Sequence, residues 1–360
     1  MRMFRAHQVA ACWVTLLLGC GKTTPPSAPD AGVERTPASA SSVAPASNAA
    51  LAPSAGLGAS GGVLPHESSS SDDDSFRLPA VPRIVAIGDI HGDVQAARAV
   101  LKLGGAIDDA GAWVGGKLVV VQTGDQLDRG DDEPEILALF ERLRTQAKAA
   151  DGALIALNGN HEVMNVQGDF RYVTPDGFHD FLGAQSPARL ATLLAQLPAG
   201  RRGRAAAFLP GGAVAKRLSV QPVVEQVGDS VFVHGGVLEA HVRYGLGRIN
   251  REVREWMVGA PTEPAPLSVT NERAPIWVRD YSDGDPSSAA CAELGRVLSA
   301  LSAKRLIIGH TVQKEGINSA CAGKVWRIDV GLSRFYGGKP SALEIRGDQV
   351  RVLEAAPAAH

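Results

Sequence analysis

The chain has 360 residues, of which 45% are hydrophobic and 21% charged, as is usual for a globular protein. Its 36 Lys and Arg residues against 38 Asp and Glu residues give a net charge of −2, and the basic residues are scattered along the chain. This distribution lacks the basic stripe expected of a nucleic-acid-binding protein, so the composition argues against nucleic acid as a partner.

The first 20 residues have the features of a targeting segment. Arg2 and Arg5 precede an apolar run from residue 9 to residue 18, which is too short to span a bilayer. The run leads through Leu-Leu-Gly into Cys20, which resembles the signal of bacterial lipoproteins. We therefore predict a lipoprotein-type signal peptide at residues 1–20 and a lipid on Cys20, with a plain secretory signal as the alternative. The protein is then expected to be exported and lipid-anchored to the bacterial cell envelope.

Residues 21–78 are rich in Ser, Ala, Pro and Gly and include the run Ser-Ser-Ser-Ser-Asp-Asp-Asp at residues 68–74. Such a segment cannot bury enough apolar surface to offset the entropy lost on folding. We predict that it is a disordered tether, followed by one globular domain at residues 79–355.

Apolar strands alternate with helical patterns through the first half of this domain. Strands are predicted at residues 83–87, 117–122 and 153–157, and helices at residues 94–103 and 134–149. This order is typical of a parallel βαβ sheet, whose functional groups lie outside the carboxyl ends of its strands. A second packed sheet is indicated by later strands, predicted at residues 230–233, 305–308, 325–329, 342–345 and 349–353.

Residues 165–225 have a weaker pattern. We interpret them as less regular, with a helix from residue 187 to residue 197. The tightest basic cluster of the chain, Arg201-Arg202-Gly203-Arg204, falls here and is interpreted as a solvated loop.

Five short polar motifs follow the predicted strands. They contain Asp89 and His91, Asp125 with Asp128 and Arg129, Asn160 and His161, His234, and His310. Carboxylate, amide oxygen and imidazole are ligands that suit Mn, Fe or Zn better than Ca. One such motif is weak evidence, but five in order indicate a pair of metal ions that activate a water to attack phosphorus.

Three longer runs extend this pattern. They are Asn-His-Glu-Val-Met-Asn at residues 160–165, Trp-Val-Arg-Asp-Tyr at 277–281 and Trp-Arg-Ile-Asp-Val-Gly at 326–331. With the motifs, they resemble the calcineurin-like metallophosphoesterases, within these the phosphoprotein phosphatase family, and most of all the Shewanella-like protein phosphatases. The resemblance implies an α/β fold in which two packed mixed β-sheets are flanked by helices, an αββα sandwich.

The same resemblance implies a dinuclear centre in a metallophosphoesterase catalytic domain. It assigns the ligands as follows: Asp89 and His91 to the first metal, Asp125 to both metals, and Asn160, His234 and His310 to the second. Two divalent ions are expected, with manganese favoured and iron or zinc as alternatives. The expected nucleophile is a hydroxide activated by both metals.

Four further residues are given roles by the resemblance. His161 is the general acid that protonates the leaving oxygen, and Asp128 orients it. Arg129 binds the phosphate oxygens in a bidentate geometry that Lys would not reproduce, and Arg279 is a second candidate for phosphate binding. Purple acid phosphatases fit less well, because they have a Tyr ligand where Asp128 stands.

The leading hypothesis is a monomeric hydrolase of phosphoric monoesters that acts as a protein phosphatase. One alternative is a small-molecule phosphoesterase, such as a diadenosine tetraphosphatase or a phosphate-scavenging phosphomonoesterase. Another is a non-catalytic surface lipoprotein that keeps the fold as a binding module. The motifs leave the choice among phosphoserine, phosphothreonine, phosphotyrosine and small phosphomonoesters open.

Two cysteines remain for the folded domain, because Cys12 would leave with the signal and Cys20 would carry the lipid. In an oxidising compartment, Cys291 and Cys321 are candidates for a disulfide. Two free thiols are the alternative, since sequence does not show whether the two Cα atoms approach each other.

Overall fold

Two β-sheets form the centre of the computed structural model, which describes residues 76–260 and 265–355. The predicted signal peptide, its Cys20 and nearly all of the predicted tether lie outside the described residues. Phe76 is buried and Arg77–Leu78 form the first strand, β1, although the predicted tether extends to residue 78. The ordered fold therefore includes the last residues of that segment, because they pair with a neighbouring strand of the sheet.

Five strands form one sheet, which contains the strands that precede the first three motifs. In spatial order they are β11 (Gln349–Glu354), β10 (Ser341–Arg346), β2 (Ile84–Ile87), β3 (Val119–Gln122) and β4 (Ala153–Ala156). β2, β3 and β4 run parallel, whereas β10 is antiparallel to both of its neighbours. Because the three parallel strands end on the same side, the loops after them lie together.

Six strands form the other sheet. In spatial order they are β1, β5 (Val224–Val227), β6 (Ser230–Val233), β7 (Arg305–Ile308), β9 (Val325–Arg327) and β8 (Asn318–Ala320). β6, β7 and β9 are parallel, while β5 and β8 run antiparallel to their partners β6 and β9. The three parallel strands of this sheet therefore also end at one common edge.

The two sheets pack face to face through alternate side chains. Ile84 and Ala86 of β2 pack in one cluster with Phe232 of the other sheet. Val85 and Ile87 point to the opposite face and pack beneath helices, because successive side chains of a strand alternate between faces. Helices cover both outer faces, so the predicted αββα sandwich is confirmed.

The helices have the following bounds: α1 Val94–Leu103, α2 Glu133–Ala149, α3 Asn160–Gln167, α4 Pro175–His179, α5 Ala191–Gln196, α6 Ala199–Phe208, α7 Ala213–Leu218, α8 Glu239–Tyr244, α9 Leu246–Val258, α10 Leu267–Thr270 and α11 Ser288–Ala300. A 3₁₀ turn at Ala188–Leu190 precedes α5. Among the residues with described structure, no helix is both long enough and apolar enough to cross a membrane.

The strongly patterned elements are confirmed, with ends within two residues of those predicted. The interpretation of residues 201–204 as a solvated loop is wrong, because they lie in α6 and Arg204 has no exposed surface. Acidic partners from distant parts of the chain neutralise this buried guanidinium, and no local pattern reveals them. β5 was not predicted either, because its buried residues include the polar Glu225 and Gln226; the strand lies between β1 and β6.

A disulfide joins Cys291 of α11 to Cys321, which follows β8, and the two Cα atoms are 5.2 Å apart. The bond cross-links residues separated by 30 positions and attaches the edge of the six-stranded sheet to a helix. Closing a loop of this length restricts the unfolded chain, so the cross-link stabilises the folded state relative to it.

Replacing both cysteines with Ser is expected to lower the free energy of unfolding by about 3 kcal/mol, because the unfolded chain regains the entropy of the open loop. Urea denaturation of the oxidised wild type and of the double variant measures this difference. Wild type treated with reductant is the control and should unfold like the variant. Equal stabilities of oxidised wild type and variant would show that the cross-link contributes nothing.

Candidate active site

The five motifs meet at the edge where the parallel strands of both sheets end. The positions are Asp89 and His91 after β2, Asp125 after β3, Asn160 and His161 at the start of α3 after β4, His234 after β6, and His310 after β7. All seven side chains are buried, and the most exposed, His310, has 8% of its surface accessible. The fold thus brings all six predicted metal ligands and the predicted acid into one cluster.

Asp125 lies at the centre of this cluster. Its Oδ2 is 3.2 Å from Nε2 of His234 and 3.8 Å from Nε2 of both His91 and His161. Two groups have ligand atoms close enough to hold a metal ion, one formed by Asp125 with His91 and His161 and the other by Asp125 with His234 and His310. Asp125 belongs to both, as a ligand shared by two metals would.

The first group contains His161, the predicted acid, in place of the predicted ligand Asp89; Asp89 and Asn160 border the two groups. Asn160 Oδ1 lies 2.8 Å from Nε2 of His234, and Nδ1 of His310 lies 3.1 Å from the same nitrogen. The Asp89 carboxylate accepts a hydrogen bond from the backbone N–H of His310 at 3.2 Å. Gly309 permits this approach, since a Cβ there would lie 2.3 Å from Asp89 Oδ1.

The hydrogen bonds of the histidines show that the cluster fits a cation. Nδ1 of His234 faces the carbonyl oxygen of Thr123 at 2.9 Å, and Nδ1 of His91 faces that of Leu127 at 3.1 Å. Each Nδ1 must carry the proton in these contacts, so each neutral ring directs the Nε2 lone pair into the cluster. There the lone pairs meet carboxylate and amide oxygens, and a divalent metal between these acceptors removes their repulsion.

The electrostatics of the buried acids lead to the same conclusion. Burial, and then the nearby carboxylates of Asp329 and Asp125, raise the pKa of Asp89 well above its usual value. Burial also acts to raise the pKa of Asp125, and positive charge on the neighbouring histidines, His234 first, lowers that pKa well below normal; with neutral rings, a metal ion takes the place of this charge. Buried carboxylates at this density need positive charge beside them to remain ionised together.

Backbone strain is concentrated at the same place. Nine non-glycine residues of the described chain have positive φ, and five are His91, Asp125, Asp128, Arg129 and His310. This conformation is uncommon for residues with a Cβ and persists only where the surrounding structure enforces it. The loops are therefore held in the geometry that presents the polar side chains, at a local energetic cost.

His161 and Asp128 form a buried pair at the margin of the cluster. Nδ1 of His161 lies 2.6 Å from Asp128 Oδ2, while its Nε2 faces Asp125. Burial acts to lower the pKa of His161, but the carboxylates of Asp125 and Asp128 outweigh it and raise the pKa. The ring is therefore held with one nitrogen on its carboxylate partner and the other directed into the cluster.

Arg129 is half-buried beside this pair and lies among three aromatic rings. Its guanidinium carbon is 5.0, 5.6 and 5.1 Å from the ring centres of Tyr172, Phe335 and Tyr336. Arg129 also lines a cavity of about 160 Å³ next to His91. The exposed Arg279 is fixed instead to the loop after β7, where it donates to Oγ1 of Thr311 at 2.7 Å.

Two buried acidic residues near the site, Glu162 and Asp329, were not among the predicted site residues. The Glu162 carboxylate accepts hydrogen bonds from the backbone N–H groups of Asp125, Gln126 and Gly159 at 2.7–2.8 Å, which joins two of the loops. Burial raises its pKa to about 7. Asp329 follows β9 beside Asp89, and burial raises its pKa to about 6. Both lie in runs that carry the resemblance, at residues 160–165 and 326–331, and the structure adds that they are buried beside the predicted ligands.

Comparison with known proteins shows the family to which this chain belongs. A model of the calcineurin-like phosphoesterase family matches residues 82–314, which include every ligand of the cluster. The chain belongs to the calcineurin-like phosphoesterases. It is accordingly a metallophosphoesterase, a hydrolase that acts on phosphoric monoesters. The family implies a dinuclear site for divalent metals, and the two His and Asp groups described above could bind them.

Relatives of this phosphoesterase cover most of its length. It is 41% identical to Shewanella-like protein phosphatase 2 of Arabidopsis thaliana, over 83% of this chain and 84% of that protein. It is 28% identical to Shewanella-like protein phosphatase 1 of Plasmodium berghei, over 75% of this chain and 74% of that protein. The cold-active protein-tyrosine phosphatase of a psychrophilic Shewanella species has a similar structure, with a TM-score of 0.61, 23% identity and coverage of 79% of this chain and 85% of that one. The predicted resemblance is confirmed.

Proposed function

We propose that this phosphoesterase is a protein phosphatase that hydrolyses phosphorylated side chains. The observation that carries the proposal is the buried His161–Asp128 pair, whose His161 Nε2 faces Asp125, the residue shared by two groups with metal-ligand spacing. Hydrolysis of a phosphomonoester of a side chain requires both electrophilic assistance at phosphorus and a proton for the leaving oxygen. The similarity to Shewanella-like protein phosphatases supports a phosphoprotein as the substrate.

Six residues would hold the metals in this proposal. They are Asp89 and His91 at one site, Asn160, His234 and His310 at the other, and Asp125 between the two. When bound, two divalent metals neutralise phosphate charge and supply a water of lowered pKa as the nucleophile. We propose manganese as the native metal, with iron or zinc as alternatives, because mixed oxygen and imidazole donors suit these ions.

The other polar residues of the site would bind the phosphoryl group and supply the proton. Arg129 presents a planar guanidinium to the phosphate oxygens, and Arg279, which contacts the loop of His310 and Thr311, is proposed as a second contact. His161 carries the proton on the nitrogen that faces the cluster, because the other nitrogen is bound to Asp128. The raised pKa of His161 favours the protonated ring, which is the form able to protonate a departing alkoxide or phenoxide.

The rim of the site favours an aromatic ester. Tyr172, Phe335 and Tyr336 are 41%, 57% and 38% exposed, and they are the rings that surround Arg129. Exposed aromatic side chains around a phosphate-binding Arg can stack on a phenyl ring whose phosphate lies in the cluster. We therefore place phosphotyrosine ahead of phosphoserine and phosphothreonine among the substrates.

The protein, purified without metal and reloaded with Mn²⁺, is expected to hydrolyse a phosphotyrosine peptide faster than the same peptide with phosphoserine. Diadenosine tetraphosphate is the comparison substrate. Activity confined to that nucleotide would support the small-molecule phosphoesterase instead. A fully metal-loaded protein that hydrolyses none of the three would support the non-catalytic binding module.

The cellular context is proposed from the sequence alone. An exported, monomeric lipoprotein anchored through Cys20 agrees with the apolar run and the Ser-rich and Pro-rich segment that follows it. Metabolic labelling with a fatty acid, compared between wild type and Cys20→Ala, tests this proposal. Equal labelling, or equal release of both proteins into the medium, would exclude the lipid anchor.

A further inference from the structure

Arg204 is a buried cation behind the catalytic pair, and its side chain has no exposed surface. It lies on α6, in the part of the chain to which neither the motifs nor the proposed mechanism assigns a function. The rings of Phe208, Phe181 and Phe170 lie 4.4, 5.4 and 5.9 Å from its guanidinium carbon. A guanidinium in such surroundings requires several good acceptors to offset its lost hydration.

One acceptor is the backbone oxygen of Gly177, at 2.8 Å from Nη1, and the others are Asp128 itself and two side chains that contact it. Arg204 donates through both terminal nitrogens to Glu133, at 2.6 and 3.0 Å, and Glu133 in turn accepts the backbone N–H of Asp128 at 2.7 Å. Arg204 Nε donates to Oδ1 of Asn165 at 2.9 Å, while the amide of Asn165 donates to Asp128 Oδ1 at 3.0 Å. A third, longer contact runs directly from Arg204 to Asp128 Oδ1 at 3.4 Å.

The network therefore fixes one carboxylate in position from several directions. Asp128 Oδ1 is held by Asn165 and Arg204, which leaves Oδ2 for Nδ1 of His161. Arg204 also places a positive charge 3.4 Å from the buried carboxylate of Asp128 and 2.6 Å from that of Glu133. A buried ion pair is weak evidence of stabilisation, because apolar residues of similar size often replace such pairs without loss. The geometry of the Arg204–Glu133 pair is better explained by the group that the pair positions, which is the Asp128 carboxylate.

We propose that Arg204, together with Glu133, is a positioning residue for proton donation by His161. This inference rests on the proposed function. Arg204 keeps Asp128 in one orientation, Asp128 keeps the His161 ring in one orientation, and Nε2 of His161 then points at the leaving oxygen. Arg204 touches neither substrate nor metal ligands, so its loss should impair the delivery of the proton and spare phosphate binding.

The dependence of rate on the leaving group isolates this role. Phenyl phosphate releases a basic phenoxide that needs the proton, whereas 2,4-dinitrophenyl phosphate releases a stable anion that does not. Arg204→Lys is expected to lower kcat on phenyl phosphate by about 10- to 100-fold, part of the 10²- to 10⁴-fold that a positioned acid typically contributes. On the dinitrophenyl ester the loss should be within about 3-fold, with KM and metal content unchanged, because phosphate binding and metal binding are spared.

Four further variants complete the experiment. Arg201→Lys makes the same exchange at an exposed position of α6 and should retain wild-type kcat on both esters. His161→Asn should show the same preference for the good leaving group, and adding Arg204→Lys to it should cause no further loss, since both act at one step. Glu133→Gln removes the other half of the ion pair and should reproduce the Arg204→Lys pattern, which keeps the test decisive if Arg204→Lys does not fold.

Equal losses on the two esters, or additive losses in the double variant, would overturn the inference and assign Arg204 to the general structure of the site. Wild-type kcat in Arg204→Lys would also overturn it. A wild-type protein that hydrolyses neither ester would instead show that the proposed function is wrong, and the inference would fail with it.

Discussion

Replacing His161 with Asn is expected to lower kcat on a phosphotyrosine peptide by about 10²- to 10⁴-fold, the contribution usual for a positioned general acid. His161 is buried, bound through Nδ1 to Asp128 and directed through Nε2 into the cluster. Asn retains a polar group beside Asp128 and has no proton to release to the leaving oxygen. Steady-state kinetics of the Mn²⁺-loaded protein measure the loss, and KM should change little.

The matched control is His179→Asn, the same exchange at an exposed histidine of α4. This variant should keep the kcat of wild type. Metal content measured by atomic emission should be equal in all three proteins, because the six proposed ligands are intact. A His161→Asn protein with wild-type kcat would remove His161 from the mechanism, and one without bound metal would make it a ligand instead.

Replacing Asp125 with Asn is expected to reduce bound metal to at most about one ion per chain and kcat/KM by more than about 100-fold. The carboxylate belongs to both groups that could hold a metal, and Asn supplies neither its charge nor its second ligand oxygen. Loss of residues that only orient ligands already costs roughly 10- to 100-fold in affinity or activity, so loss of a shared ligand should cost more. Metal analysis after gel filtration and kinetics with added Mn²⁺ measure the two effects.

Asp151→Asn is a well-matched control, because Asp151 has the same backbone φ of 57° as Asp125 but is exposed and lies in the turn before β4. It should bind two metals and keep wild-type kcat/KM. Two tightly bound ions in Asp125→Asn would contradict a bridging role for this residue. Full recovery of its kcat/KM in excess Mn²⁺ would show that the carboxylate affects affinity alone.

Some parts of the fold follow local rules, and these were predictable. Helix α1 begins where the side chain of Asp93 accepts the backbone N–H of Ala96, and its apolar residues recur on one face, so its bounds could be read from the sequence. β2 and β3 are short apolar runs between glycine-rich loops, which is typical of strands buried on both faces. The polar motifs follow such strands, and parallel strands place the residues after their carboxyl ends together.

Helices α9 and α11 were not predicted although they carry local helix signals, whereas other unpredicted parts depend on contacts between distant residues. Gln226 of β5 is polar and interrupts the apolar pattern of the strand. It is nevertheless buried, because its amide donates hydrogen bonds to the backbone oxygens of Gly228 and Leu301. β1 has only two residues and is a strand because β5 lies beside it. Arg204 in α6 looks like part of a solvated basic cluster until Glu133 and Asn165 are placed around it.

The sequence by itself determined the family, the order of the strongly patterned elements and the identity of the polar residues at the strand ends, because these depend on residue type and short-range spacing. Only the tertiary structure decided which acceptors surround each histidine, which carboxylates are buried together, and that Arg204 lies behind Asp128. The physical reason is that hydration, charge and hydrogen bonding depend on distances between groups far apart in the chain. Asp128 and Arg204 are 76 positions apart in sequence, and folding brings them to 3.4 Å.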